Sequence, residues 1–151
     1  MLIQRAGSAD WEIVKRLSAE LSKELSGMSS QSCKELNDGE LEHFLSFDDR
    51  VVCYLLYEGE RPVGLILSCE VVNFSAGGMC GLITNLYVVP ERRRDGLAVA
   101  LVKAVHKEAI LRGWQMLEIA SSTCTHHEKL YEFYLRNGFN EIEPQLRMRL
   151  R

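Results

Sequence analysis

The sequence predicts an α/β (α+β) protein: one mixed sheet of about six to seven strands with helices on both faces. Three observations carry this. Apolar periodicity orders the elements as β-α-α-β-β-β-α-β-α-β-β along 151 residues. Three successive strand-like runs are joined only by short turns rich in Gly, Pro and Ser, so they pair antiparallel as a meander. The last of them leads through an apolar helix into another strand-like run, and such a crossover makes a parallel pair.

Leu2 to Arg5 reads as a short strand, and Ser8 is a candidate cap for the helix that follows. In that helix Trp11, Val14, Leu17, Leu21 and Leu25 recur at three- and four-residue steps and form one apolar face. The small residues from Ser26 to Ser30 make a linker. Asn37 or Asp38 caps a second, shorter helix carrying Leu41, Phe44 and Leu45. Glu35, Asp38, Glu40, Glu42, Asp48 and Asp49 make this region acidic. They read either as a solvated helix face and loop or as an acidic rim for a cationic substrate.

Val51 to Tyr57 is a strand, Glu58 to Pro62 a hairpin turn, and Val63 to Phe74 the returning strand. Ser75 to Gly78 turns the chain into a fourth strand, from about Cys80 to Val89. After Gly96 a helix places Leu97, Ala100, Leu101, Ala104, Val105 and Ile110 inward. It ends at Gly113, with Arg112 near the negative end of its dipole. Gln115 to Ala120 is a short strand. A helix from about Thr125 to Arg136 closes at Asn137-Gly138. Phe139 to Ile142 and Gln145 to Leu150 read as two final strands separated by Pro144. No repeat or composition shift divides the chain, so residues 1–151 are expected to form one domain.

Composition narrows the function classes. A hydrophobic fraction of 46% with mixed charges is that of a globular protein, and a net charge of −3 gives no reason to expect nucleic acid. No apolar run approaches the roughly 20 residues of a membrane span, and the N-terminus lacks a signal-peptide pattern, so a cytoplasmic protein is expected. Cys33, Cys53, Cys69, Cys80 and Cys124 are scattered and form no C-x-x-C pair, which fits free thiols better than disulfides or zinc. His126-His127-Glu128 lacks the i, i+4 histidine spacing of a helical metal site, so no metal is expected. His43 and His106 read as surface residues on helices.

The stretch from Leu82 to Leu101 is the most informative. A β-branched and aromatic run stops at Pro90. Arg92-Arg93-Arg94-Asp95-Gly96 follows, and then the helical pattern begins. Strand, basic glycine-containing turn and helix together present backbone N–H groups and a helix N-terminus to a phosphate. The amides of Arg94 to Ala98 are the free donors of the first turn, Gly96 and Ala98 let the backbone approach an anion, and the arginines add positive charge. Asp95 is expected to point outward, capping the helix or pairing with an arginine.

Two motifs in this order resemble those of the GNAT N-acetyltransferase family. Arg93-Arg94-Asp95-Gly96-Leu97-Ala98 resembles the family's Q/R-x-x-G-x-G/A, and Leu86 to Glu91 is similar to its usual lead-in. Phe133-Tyr134-Leu135-Arg136-Asn137-Gly138-Phe139 resembles F/L-Y-x-x-x-G-F. The opening Ile3-Gln4-Arg5-Ala6 and Asp10-Trp11 also resemble the family's first strand and helix. The likeness covers essentially the whole chain. It departs at Arg94, where many members have glycine, and at His127 and Leu130, where many have Asn and Ala.

The resemblance implies a sheet splayed between its fourth and fifth strands, with acetyl-CoA as acyl donor. Its pantetheine arm fills the gap as a pseudo-strand. It implies cofactor contacts from Leu86, Tyr87, Val88, Arg93, Arg94, Asp95, Gly96, Leu97, Ala98, His127 and Tyr134. The Val88 N–H would polarise the thioester carbonyl and Tyr134 would protonate the leaving sulfur. For the general base the sequence leaves Glu118 and Glu70 open, with Thr84 and Asn85 as positioning groups. Burial would raise a carboxylate's pKa toward useful values. The implied acceptor is a small amine or a peptide or lysine amine, and the acidic segment suggests a cationic one. A homodimer is also implied. The alternatives are a non-catalytic acyl-CoA-binding module of the same fold and a nucleotide-binding α/β domain. The second fits poorly, because the strands before Pro90 form an antiparallel meander and the chain has no G-x-x-x-x-G-K-S/T motif.

Overall fold

The structure is a computed structural model that describes residues 1–26, 37–119, 128–141, 148 and 150. Among the described residues five strands form one sheet, in the order β1-β2-β3-β4-β5. They are β1 (Leu2–Arg5), β2 (Val51–Glu58), β3 (Arg61–Asn73), β4 (Gly78–Val88) and β5 (Leu117–Ile119). The first three pairings are antiparallel and β4–β5 is parallel, the mixed sheet expected. Five strands are fewer than the six to seven expected. Most of residues 142–151, where the last two were placed, lies outside the described residues, and residues 139–141 are not in a strand.

Each face of the sheet carries helices because β2, β3 and β4 are apolar on both sides. Helix α1 (Trp11–Ser26) puts Val14 and Leu17, and α2 (Asp38–Leu45) puts Leu41 and Leu45, onto Cys53, Leu55, Leu65 and Tyr87. On the other face α3 (Leu97–Arg112) and α4 (Glu128–Arg136) bury Leu97, Leu101, Val105 and Tyr134 against Val52, Ile66, Ile83, Leu86 and Val88. In α3 the buried stripe also takes Val102 and Ala109. Ile110, expected inward, is 67% exposed because it falls on the far side of the 97–101–105–109 row.

The caps show how the sequence sets these ends. Asn37 is the cap of α2: its side chain accepts from the Glu40 N–H at 2.9 Å, and Glu40 reaches back to the Asn37 N–H at 3.2 Å. Before α1 the cap is Gly7 rather than Ser8. A short 3-10 turn (Ser8–Asp10) precedes the helix, and the Asp10 carboxylate accepts from the Gly7 N–H at 2.9 Å. Gly113 closes α3 with φ 71°. Gly138 (φ 91°) turns the chain after α4, so that the Phe139 N–H donates to the Tyr134 carbonyl at 2.9 Å.

Several acids of the 35–49 region have structural partners. Asp38 pairs with Lys15, and Glu40 closes the α2 cap. At Asp48 and Asp49 it is the backbone carbonyls, not the carboxylates, that accept from Arg5 and Arg112. Gly81 permits a close stacking: a Cβ there would lie 2.1 Å from the Trp114 ring.

Candidate functional site

The turn between β4 and α3 has the conformation that an anion site requires. A 3-10 turn (Pro90–Arg92) follows β4. Arg94 (φ 72°) and Gly96 (φ 78°) are both left-handed, and Arg94 is the only non-glycine with positive φ among the described residues. Gly96 stands at the cap of α3, where no side chain closes the helix. The Ala100 N–H bonds back to the Gly96 carbonyl at 3.1 Å. The N–H groups of Leu97, Ala98 and Val99 have no acceptor among the described residues, as the first turn of a helix dictates. Nothing lies within 4 Å of where a Cβ would sit on Gly96, so the space above the turn is open.

The three arginines differ. Arg92 is held by Glu58 and by Asp95, the latter at 3.2 Å, and those two carboxylates hold its guanidinium even more firmly protonated than usual. Asp95 thus pairs with an arginine, as expected, and does not cap the helix. Arg93 turns back toward the strand. Its Nε–H donates to the Val88 carbonyl at 2.8 Å, its Nη2–H to Glu24 Oε1 at 2.6 Å, and its guanidinium lies 5.5 Å from the Tyr87 ring centroid. Arg94 is exposed and has no ion-pair partner among the described residues. Of the three arginines of this turn it alone has no such partner among the described residues.

The strand end is equally specific. Between Leu67↔Asn85 and Ser68↔Ile83 the β3–β4 register shifts, leaving Thr84 as an extra residue, a bulge. The parallel ladder to β5 runs from Gly81↔Leu117 to Ile83↔Ile119, so the bulge falls immediately after the described β4–β5 pairing. Beyond it the Val89 N–H bonds the Val63 carbonyl at 3.0 Å. Alternation along an antiparallel ladder then makes Leu65–Tyr87 the next hydrogen-bonded pair. The backbone groups of Leu86 and Val88 therefore point away from β3, into the space that β5 leaves. Of the three residues expected there, Leu86 and Val88 present N–H groups to that gap. Tyr87 uses its own on β3 and puts its side chain under α1, 3% exposed, where burial and the nearby Glu20 and Glu24 push its pKa up.

Tyr134 is 2% exposed and belongs to the cluster that holds Leu86, Val88 and Leu97. Its ring meets Phe139 edge-on at 5.3 Å between centroids, so the F-Y-x-x-x-G-F spacing has a physical reason. Gly138 reverses the chain and lays Phe139 against Tyr134.

The two carboxylates expected as base candidates are separated by the sheet. Glu70 lies on the α3 side, where its Oε1 accepts from Trp114 Nε1–H at 2.7 Å. Glu118 is paired with Leu82, while its neighbours Leu117 and Ile119 pack into the α3-side cluster, so Glu118 faces the α1 side. Asn85, opposite Leu67, faces that side too. The Thr84 hydroxyl lies 2.8 Å from Asn85 Oδ1, and so positions that amide. His127 lies outside the described residues. Among those described, no cluster of three or more His, Cys, Asp or Glu could hold a metal, and no helix is long and apolar enough to cross a membrane.

Sequence reasoning missed Glu24. A signal was present: Glu24 continues the Val14, Leu17, Leu21 row of α1, and a carboxylate in an inward row calls for a partner.

The fold is thus a mixed sheet flanked by helices, with the uncapped N-terminus of α3 following the β4 edge that the bulge releases. The model of the acetyltransferase (GNAT) family matches residues 15–139, and the chain belongs to that family of acyltransferases. Solved structures share the fold. A ribosomal-protein-alanine N-acetyltransferase from Brucella melitensis biovar Abortus 2308 is 18% identical with a TM-score of 0.74, covering 99% of this chain and 100% of that one. An aminoglycoside acetyltransferase from an uncultured soil metagenomic sample is 17% identical with a TM-score of 0.80, covering 99% and 98%. A predicted acetyltransferase with acetyl-CoA from Clostridium acetobutylicum is 19% identical with a TM-score of 0.75, covering 99% and 96%. Among curated proteins, none matches this sequence closely enough to count as a relative.

Proposed function

We propose that this chain is an acetyl-CoA-dependent N-acetyltransferase that passes the acetyl group directly to a primary amine of a small molecule or peptide. One observation carries the reading. The uncapped start of α3, with open space above Gly96, directly follows a strand whose outer edge is released at a bulge. A pyrophosphate and an extended polar arm need those two features side by side.

The residues present fit that donor. Leu97, Ala98 and Val99 would direct their N–H groups at the pyrophosphate, and Arg94 would add a charge. Leu86 and Val88 would pair with the amides of the arm, as an added strand does. Acetyl-CoA supplies the activated acyl group as a thioester. The Val88 N–H would donate to the carbonyl oxygen as negative charge develops there. Tyr134, buried beside Leu86 and Val88, would hold the proton that the departing sulfur needs.

The α3 side of the gap is filled by Ile83, Leu86, Tyr134 and their neighbours, which leaves the α1 side for the amine. Of the two carboxylates, Glu118 lies on that side with Asn85 and is our candidate base. Glu70 is engaged by Trp114 on the other. The neighbours described as acting on protein alanines and on aminoglycosides support an amine acceptor without choosing between them.

Calorimetry with CoA tests the donor half. A panel of amines assayed by free-thiol release tests the other half. Tight CoA binding with no turnover on any amine would favour the non-catalytic module instead.

A further inference from the structure

Arg93 looked from the sequence like part of the phosphate site, yet its side chain is spent elsewhere. It makes two charge-assisted or carbonyl hydrogen bonds and one cation–π contact, and it is only 27% exposed. The geometry of those contacts is informative. The Val88 carbonyl points into the gap beside β4, where a strand would normally satisfy it, and Arg93 Nε–H takes that place. The other arm of the same guanidinium reaches Glu24, 69 residues away on α1. Arg93 therefore ties three things together: the phosphate turn to which its backbone belongs, the residue whose N–H faces the thioester, and the helix lining the acceptor side.

We propose that Arg93 is a positioning residue that couples the phosphate turn to α1, so that filling the turn with CoA stiffens the acceptor-side helix through Glu24. This rests on the acetyl-CoA reading above and adds to it an order of events. A turn held by an anion fixes the Arg93 backbone. The fixed backbone narrows the positions of its guanidinium, and the fork then holds Glu24 and the Val88 carbonyl in one arrangement. Arg94, one residue on and exposed, has the phosphate role that Arg93 leaves. Lysine cannot replace Arg93 here. It keeps the charge, but a single ammonium does not present the fixed fork that serves Val88 and Glu24 together.

The test uses the full chain with CoA as the probe. Hydrogen–deuterium exchange of peptides from residues 11–26 is followed with and without CoA. CoA affinity is measured by calorimetry at low and high salt. In the unmodified protein CoA is expected to slow exchange in α1 by about fivefold, the lower end of usual coupling between sites. In Glu24→Gln and Arg93→Lys that protection is expected to vanish, while the CoA Kd stays within about threefold and keeps its salt dependence. Thermal melts check that the variants fold. Retained protection in both variants would overturn the proposal. So would a loss of CoA affinity beyond about tenfold with a flattened salt dependence in Arg93→Gln, because that marks a phosphate ligand. CoA binding without any protection of α1 sinks this inference alone. Failure of the unmodified chain to bind CoA sinks the acetyl-CoA reading as well.

Discussion

Arg94 occupies a backbone conformation suited to glycine while carrying the one uncommitted charge of the turn. Two substitutions separate these properties. With φ at 72°, Arg94 bears the left-handed penalty of an L-residue, about 1–2 kcal/mol. Glycine removes that penalty but adds about 0.5–1 kcal/mol of chain entropy to the unfolded state. Arg94→Gly should therefore stabilise the protein by up to about 1.5 kcal/mol, or up to roughly 6 °C in Tm for a chain of this length. It also deletes a charge near the phosphates. At about 5 Å in a water-like medium that charge is worth about 0.8 kcal/mol, roughly a fourfold change in Kd. The effect should shrink as salt shortens the Debye length from about 30 Å at 0.01 M to about 10 Å at 0.1 M. Arg94→Ala loses the same charge and keeps the strained backbone, so it should match Arg94→Gly in CoA affinity without the rise in Tm. Differential scanning calorimetry and titration calorimetry at two salt concentrations read both quantities. A lower Tm in Arg94→Gly would refute the strain argument. An unchanged low-salt Kd in both variants would refute the charge assignment.

Other expectations follow from particular residues. Tyr134→Phe should lower kcat by about 10²-fold with the best amine of the panel, the low end for a lost proton donor, and leave CoA affinity unchanged. An unchanged kcat removes Tyr134 from the mechanism. The hydrogen bond from Arg112 chiefly, helped by the charges of Arg112 and Arg5, holds the Glu108 carboxyl below the usual carboxylate range. A lowered folded-state pKa adds stability that is present above the unfolded value of about 4.3 and is lost as pH falls through the folded one. Glu108→Gln should thus cost about 1 kcal/mol at neutral pH and little at the acid end, read from urea melts across pH. Equal losses at both ends would contradict this. Burial pushes the Cys53 thiol up to about 12. It should resist alkylation at pH 8 until the chain unfolds, while half-buried Cys69 reacts earlier; peptide mass mapping over time distinguishes the two.

The sequence made the local features legible where neighbours in the chain decide them. The helix stripes, the Asn37 cap, the Gly113 and Gly138 closures and the meander all follow from spacing within a few residues. The turn between β4 and α3 was legible for the same reason. Long-range pairings were not. Arg93 finds Glu24 across 69 residues and Trp114 finds Glu70 across 44, and no local pattern encodes either. The face of Glu118 depends on register, since a shift of one residue in β5 would move it to the α3 side. Ile110 shows the limit even within a helix: an apolar residue joined the inward set by type, while its angular position put it outside.

The central claim is that the start of α3 and the free edge of β4 form one site for an acyl-CoA. Titration of the ¹⁵N-labelled chain with CoA, followed by amide chemical shifts, tests it most directly. The account predicts the largest shifts together at Gly96, Leu97, Ala98 and Val88, with ATP and NAD failing to move Val88. Shifts confined to the helix start, and equal for CoA and ATP, would mean a generic phosphate turn and contradict the claim.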